Sequence, residues 1–281
     1  MLLKIPRSYF LGVDFTSRPR KKKPITCVWG SFNSEQKLLI DQIVWCESFA
    51  AFGEQLNLPG PWIGALDFPF GLPQEVVDHL GWPNQWNKLI QHYSELSRAQ
   101  IRASFQAFCA ARPAGNKFAH RRCDLWARSS PSMKWVNPPV AYMLHAGAPL
   151  LMQAGVSIPG MQRGDARIAL EGYPALLARD IIGKASYKAD ELSKQTAERT
   201  ARRKAVLTAL AAGTHFLKIK VEFTGQDLQL CVDDARGDVL DAVLCCVQAA
   251  WASTQHNYGL PEKINPVEGW IVSSKAPDTT F

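Results

Sequence analysis

No Cys-x-x-C pair occurs in this sequence, although it holds 7 cysteines in 281 residues. Cys27, Cys46, Cys109, Cys123, Cys231, Cys245 and Cys246 are odd in number, and the last two are adjacent in an apolar run. This argues against a structural zinc site and reads as reduced, buried thiols in a cytoplasmic protein. A long hydrophobic run is missing too. The longest apolar stretch, residues 140–158, is interrupted by His145, Pro149 and Gln153, so it reads as core or groove wall and predicts no membrane span. The opening MLLKIPRSYF has too short an apolar run for a signal peptide. No internal repeat stands out. The 6 histidines are scattered without metal-ligand spacing, and only His120, in a basic loop, is worth testing. Acids are outnumbered, 25 against 32 Lys and Arg, giving a net charge of +7. Such a surface favours polyanions, nucleic acid first, although mild basicity also serves solubility alone.

What is present is an ordinary globular composition, 47% apolar and 20% charged. The length suits one domain, taken as residues 1–281. Residues 9–15, 25–32 and 37–46 are β-rich with short connections, predicting a three-stranded antiparallel meander. Residues 47–58 have helical spacing, with Phe49, Phe52 and Leu56 on one face. WIGALD, residues 62–67, is a fourth strand. From residue 74 to 162 the pattern becomes helical, with helices over 84–112 and beyond Pro138-Pro139 and a basic loop between them, and reads as an insertion. Strand character returns at residues 167–173, and Pro174 opens a helix. A long polar helix over 190–212, an ambiguous stretch at 226–230, an apolar helix at 238–252 and a final strand or extended segment at 268–272 complete the chain. The order predicts an α/β fold, a mixed sheet with helices on both faces.

Three strands end in an acid: Asp14, Asp67 and Glu171. Side by side, such strands bring their acids to one end of the sheet, where open α/β sheets bind ligands. Asp238 and Asp241 stand three residues apart and share one face of an otherwise apolar helix. Gathered carboxylates repel one another, and a hard divalent cation, Mg²⁺ or Mn²⁺, resolves that conflict. Two such ions about 4 Å apart can hydrolyse a phosphodiester. Against this, a single Asp after a strand is commonly a turn or helix cap, Asp233 or Asp234 could cap the last helix, and Asp238 could be a first-turn acid favoured by the helix dipole.

The motifs GVDFTSRPRKKKP, IGALDFPFGLP, EGYPALL and DVLDAVLCC, in that order, resemble the predicted-nuclease family catalogued as domain of unknown function 429. The resemblance covers about residues 8–272 apart from the insertion. It implies a ribonuclease H-like core, three antiparallel strands followed by parallel ones, and two-metal phosphodiester chemistry. By position, Asp14 matches the first-strand acid bridging both ions, Asp67 the acid of the fourth strand, and Asp238 and Asp241 the paired acids of the final helix. Glu171 matches a Glu-x-Tyr-Pro motif and is expected either to be a ligand or to orient Tyr173 and a basic partner. A Tyr-Lys pair recurs in the family, here Tyr187-Lys188, and Lys188 could stabilise transition-state charge. Resolvase-like enzymes use fewer acids than these, which puts one or two of them behind the ligands.

Arg18, Arg20, Lys21, Lys22 and Lys23 form a run that could hold a phosphate backbone beside the acids, or a solvated turn. Arg121 and Arg122, with Arg128 and Lys134, interleave with Phe118, Trp126 and Trp135 as in a nucleic-acid strip, although tryptophans at this density are commonly core. Arg199, Arg202 and Arg203 share a helix face. The leading expectation is a metal-dependent nuclease acting on DNA or RNA. An actin-like ATP-dependent phosphotransferase is the first alternative, but it requires an Asp-x-Gly-Thr/Ser loop, whereas Asp14-Phe15-Thr16-Ser17 has no glycine. The second is a catalytically silent nucleic-acid-binding protein, which has no use for buried, unmatched acids.

Overall fold

The structure, a computed structural model, describes residues 9–274; residues 1–8, on which the signal-peptide expectation falls, and residues 275–281 lie outside the described residues. The strands are β1 (Tyr9–Asp14), β2 (Ile25–Phe32), β3 (Leu38–Cys46), β4 (Trp62–Asp67), β5 (Arg167–Glu171) and β6 (Val221–Glu222). They form one sheet in the order β5-β4-β1-β2-β3-β6. The β1-β2 and β2-β3 pairs are antiparallel, whereas β4 and β5 join parallel to β1. This is the expected mixed sheet, meander first and parallel strands after, in a ribonuclease H-like arrangement, with β6 as a two-residue parallel edge beside β3.

Helix α1 (Phe49–Leu56) starts at Ser48, whose hydroxyl accepts from Ala51 N. Between β4 and β5 lie α2 (Gln74–His79), α3 (Trp86–Glu95), α4 (Arg98–Ala110), α5 (Arg122–Ala127) and α6 (Val140–Ala154). The helix expected over 84–112 is therefore two helices, because Ser97 and Gln100 form a capping box that restarts the chain. After β5 come α7 (Pro174–Ile182), α8 (Ala197–Ala212), α9 (Gly225–Asp233) and α10 (Asp238–Ser253). Helix α8 starts seven residues later than expected, at the Thr196 cap. The ambiguous stretch is α9, opened by a Thr224–Asp227 capping box. The segment at 268–272 is no strand. It contributes one bridge, Glu171 to Ile271, and a bond from Val272 N to the Glu171 carbonyl.

Side chains alternate across a strand, so each strand feeds two cores. Leu11, Val13 and Phe15 pack with α1 and the helices between β4 and β5. Phe10 and Val28 pack on the other face with α7, α8 and α10. Helix α10 is buried all round and crosses β1, β2 and β4. It comes so close that a Cβ on Gly12 would lie 2.0 Å from the Ala242 carbonyl oxygen and 2.2 Å from Cys246 N. Gly12 is thus what lets the closing helix rest on the sheet, and it carries the first turn of α10 down to the end of β1.

Candidate metal centre

Asp14 and Asp67 are direct register partners at the ends of β1 and β4. Counting from Gly12 and Ala65, both point to the face covered by α10. Helix α10 supplies Asp241 from its first turn. One carboxylate oxygen from each of Asp14, Asp67 and Asp241 lies within 4.8 Å of the others. Asp14 is 8% exposed and Asp241 fully buried. Burial, the Asp241 charge and then the Asp238 charge push the Asp14 carboxyl well above the usual range. Burial and Asp241 raise Asp67 from 3.8 to about 7.

The hydrogen bonds at this cluster fall on Asp241, which accepts from the Tyr187 hydroxyl on one oxygen and from Lys188 Nζ on the other. Burial alone would lower the Lys188 pKa, but the Asp241 carboxylate outweighs it and the ammonium is held well above its ordinary value. Tyr187, noted in the sequence only as the partner of Lys188, is a direct contact of the site. Its carbonyl accepts from Arg203 Nη1 at 2.8 Å, and the Ser186 carbonyl accepts from Arg202 Nη1 at 2.9 Å. Arg203, expected on a shared basic face, is therefore buried beneath the Tyr187-Lys188 segment. Gly237, at φ 76°, opens α10 where a Cβ would come 2.9 Å from Lys188 Cβ. Asp234 accepts from Val239 N at 2.9 Å in the first turn of α10, although the N-cap position itself is Gly237 and not Asp233 or Asp234.

Asp238 stands apart from the three-carboxylate group. Its carboxylate pairs with Lys23 Nζ at 2.9 Å, with Arg236 Nε at 4.0 Å on its other oxygen. Burial raises its pKa, and Lys23 opposes the rise. Lys23 is thus engaged by an acid, whereas Arg18, Arg20, Lys21 and Lys22 are exposed. The run forms a tight turn closed by reciprocal Arg20–Lys23 backbone bonds of 3.0 and 2.9 Å, and it connects β1 to β2 at the acidic end of the sheet.

Glu171 ends its strand at the same level but faces the other way. It is paired with Leu66, one position short of Asp67, and so shares the face of Ala169. There Arg121 grips it with Nη2 to Oε1 at 2.6 Å and Nη1 to Oε2 at 2.7 Å. Phe70 N donates to Oε2 at 2.9 Å, fixing the loop that follows Asp67. The expected basic partner of Glu171 is therefore Arg121. Arg121, placed in the nucleic-acid strip by sequence, is 1% exposed and also holds Asp124 and the Glu268 carbonyl. Its guanidinium is spent on these acceptors, so it is not a free surface cation, although the residue borders the cleft beside Asp67. Arg122 is exposed and lies over Trp126 at 5.4 Å. The strip's rings are partly buried against neighbours, Phe118 on Trp135 and Trp126 on Trp270.

The donor set is all oxygen, close together and short of compensating donors, so the three carboxylates could hold a metal ion, and oxygen donors suit hard cations. Asp67 also borders an open cleft with Phe68, Arg121, Met143, Glu171 and Tyr173 among its walls. All 7 cysteines are free and buried, and no helix among the described residues is long and apolar enough to cross a membrane.

No curated protein and no solved structure matches the chain. The quoted motifs all fall within the span recognised by one family model. That model, described as "Protein of unknown function (DUF429)", matches residues 12–265, and the chain belongs to that family.

Proposed function

We propose that this protein is a metal-dependent nuclease, hydrolysing phosphodiester bonds of DNA or RNA with Mg²⁺ or Mn²⁺. The observation that carries the reading is the convergence of Asp14, Asp67 and Asp241 from two strands and a helix to within 4.8 Å. When bound, the cation supplies Lewis acidity toward a phosphoryl oxygen and an acidified water. The chain's own residues do the rest. Asp14, Asp67 and Asp241 hold the charge in place. Lys188, partly exposed at the cluster, meets negative charge that develops on the phosphate. Arg18, Arg20, Lys21 and Lys22 line the approach as phosphate contacts, with Arg122 farther along. The Lys23–Asp238 ion pair ties that basic turn to α10. The two-ion form of the proposal requires Asp238 to leave Lys23 and join Asp14 at the second site. The mostly apolar cleft beside Asp67 takes the nucleotide next to the scissile phosphate.

Purified protein incubated with labelled single-stranded, duplex and branched DNA and RNA, in Mg²⁺, Mn²⁺ or EDTA, tests this. Cleavage that needs the cation and is lost in Asp14→Asn and Asp241→Asn supports the proposal. ATP hydrolysis with intact nucleic acid, or salt-sensitive binding without cutting, overturns it.

A further inference from the structure

Thr26 sits on β2 directly opposite Asp14 of β1, so the two side chains share the face covered by α10. The residue is fully buried, and its hydroxyl has no hydrogen-bond partner. A buried hydroxyl left alone costs stability, and a valine would fill the same space without that cost. The carboxylate next to it is also short of donors, since the bonds that reach the cluster fall on Asp241. The hydroxyl does not bond the carboxylate beside it, which leaves both groups open to a third participant that joins them.

We propose that Thr26 is a positioning residue of the cation site, and that its hydroxyl is satisfied by a water carried in with the ion. The inference rests on the cation reading above and deepens it. Three carboxylate donors leave coordination positions on a hard ion that prefers six oxygens, and such ions keep several waters. A hydroxyl at Thr26 holds one of those waters against Asp14 and so fixes the orientation of both. Partners of this kind, one step removed from the ion, change affinity by about 10–100-fold.

The test is Mn²⁺ titration of the full chain by calorimetry, with melting temperatures recorded in EDTA. Thr26→Val is expected to bind Mn²⁺ about 10-fold more weakly, while its melting temperature in EDTA is unchanged or higher. Thr26→Ser, which keeps the hydroxyl, is expected to restore most of the affinity. Equal Mn²⁺ affinity in wild type and Thr26→Val removes the role of Thr26 and leaves the cation reading standing. A valine variant that melts lower in EDTA or fails to fold places the hydroxyl in the fold and also overturns the inference. A wild-type chain that takes up no Mn²⁺ removes the cation reading and the role of Thr26 together.

Discussion

Two groups of buried acids lie at the same end of the sheet, on opposite faces, and they are built differently. On the face of the helices between β4 and β5, Glu171 and Asp124 share Arg121, and all four carboxylate oxygens accept at least one hydrogen bond. Additional donors, Phe70 N, Arg121 N and Ser129 Oγ, complete the set. On the α10 face, Asp14, Asp67, Asp238 and Asp241 are answered by Lys23 and Lys188 alone among the described charged side chains within 3 Å. The first group is closed and joins the insertion, the sheet and the carboxy-terminal segment through Glu268. The second is left with excess negative charge, and burial raises Asp14, Asp67 and Asp238. A saturated ion network is a fastener. An unsaturated one is a site waiting for charge.

Breaking the closed group has the largest expected effect. Arg121→Met leaves two carboxylates buried without their cation and is expected to cost about 3–5 kcal/mol in denaturant unfolding, with or without divalent metal. Arg121→Met/Glu171→Leu is expected to recover part of that loss, because it removes one of the two stranded carboxylates and leaves only Asp124 without its guanidinium. Next comes metal. Mn²⁺ at about 100 times its dissociation constant should stabilise wild type by about 2.7 kcal/mol. Asp14→Asn should cancel that gain, and Arg121→Met should keep it if the two groups are independent.

Sequence alone went a long way on the α10 face and misled on the other. Asp14, Asp67 and Asp241 were legible because strand ends and an i, i+3 pair in an apolar helix are local signals. Glu171 looked like a third member of the same row. Its strand RIALE is offset, so that Glu171 meets Leu66 and not Asp67, and a one-residue offset reverses the face. No local pattern reports that register. The burial of Arg121 and Arg203 was hidden for a similar reason, since a guanidinium in a basic stretch looks solvated until its distant acceptors are placed. By contrast, the breaks at Ser97 and Thr224 were readable as S-x-x-Q and T-x-x-D caps.

Smaller effects sharpen the contrast. The folded protein holds the Asp67 proton more tightly than the unfolded chain does, with a pKa of about 7 against 3.8. That stabilisation is complete below about pH 4 and is lost as pH rises through about 7. Asp67→Asn has no such loss. In EDTA its stability relative to wild type should therefore climb between those limits, by at least about 1 kcal/mol, as read from paired melts across pH. The smallest change belongs to the exposed turn. Removing Lys22 or Arg20 should leave folding and Mn²⁺ affinity alone, and should lower the salt slope of nucleic-acid binding by about 1 for each phosphate the turn no longer neutralises.

The most direct measurement is anomalous diffraction from a crystal soaked in Mn²⁺. A peak among the carboxylates of Asp14, Asp67 and Asp241, absent from the Arg121–Glu171 side of the sheet, is the predicted result. A soaked crystal with no peak at those three acids, or with manganese bound only elsewhere, would contradict the account.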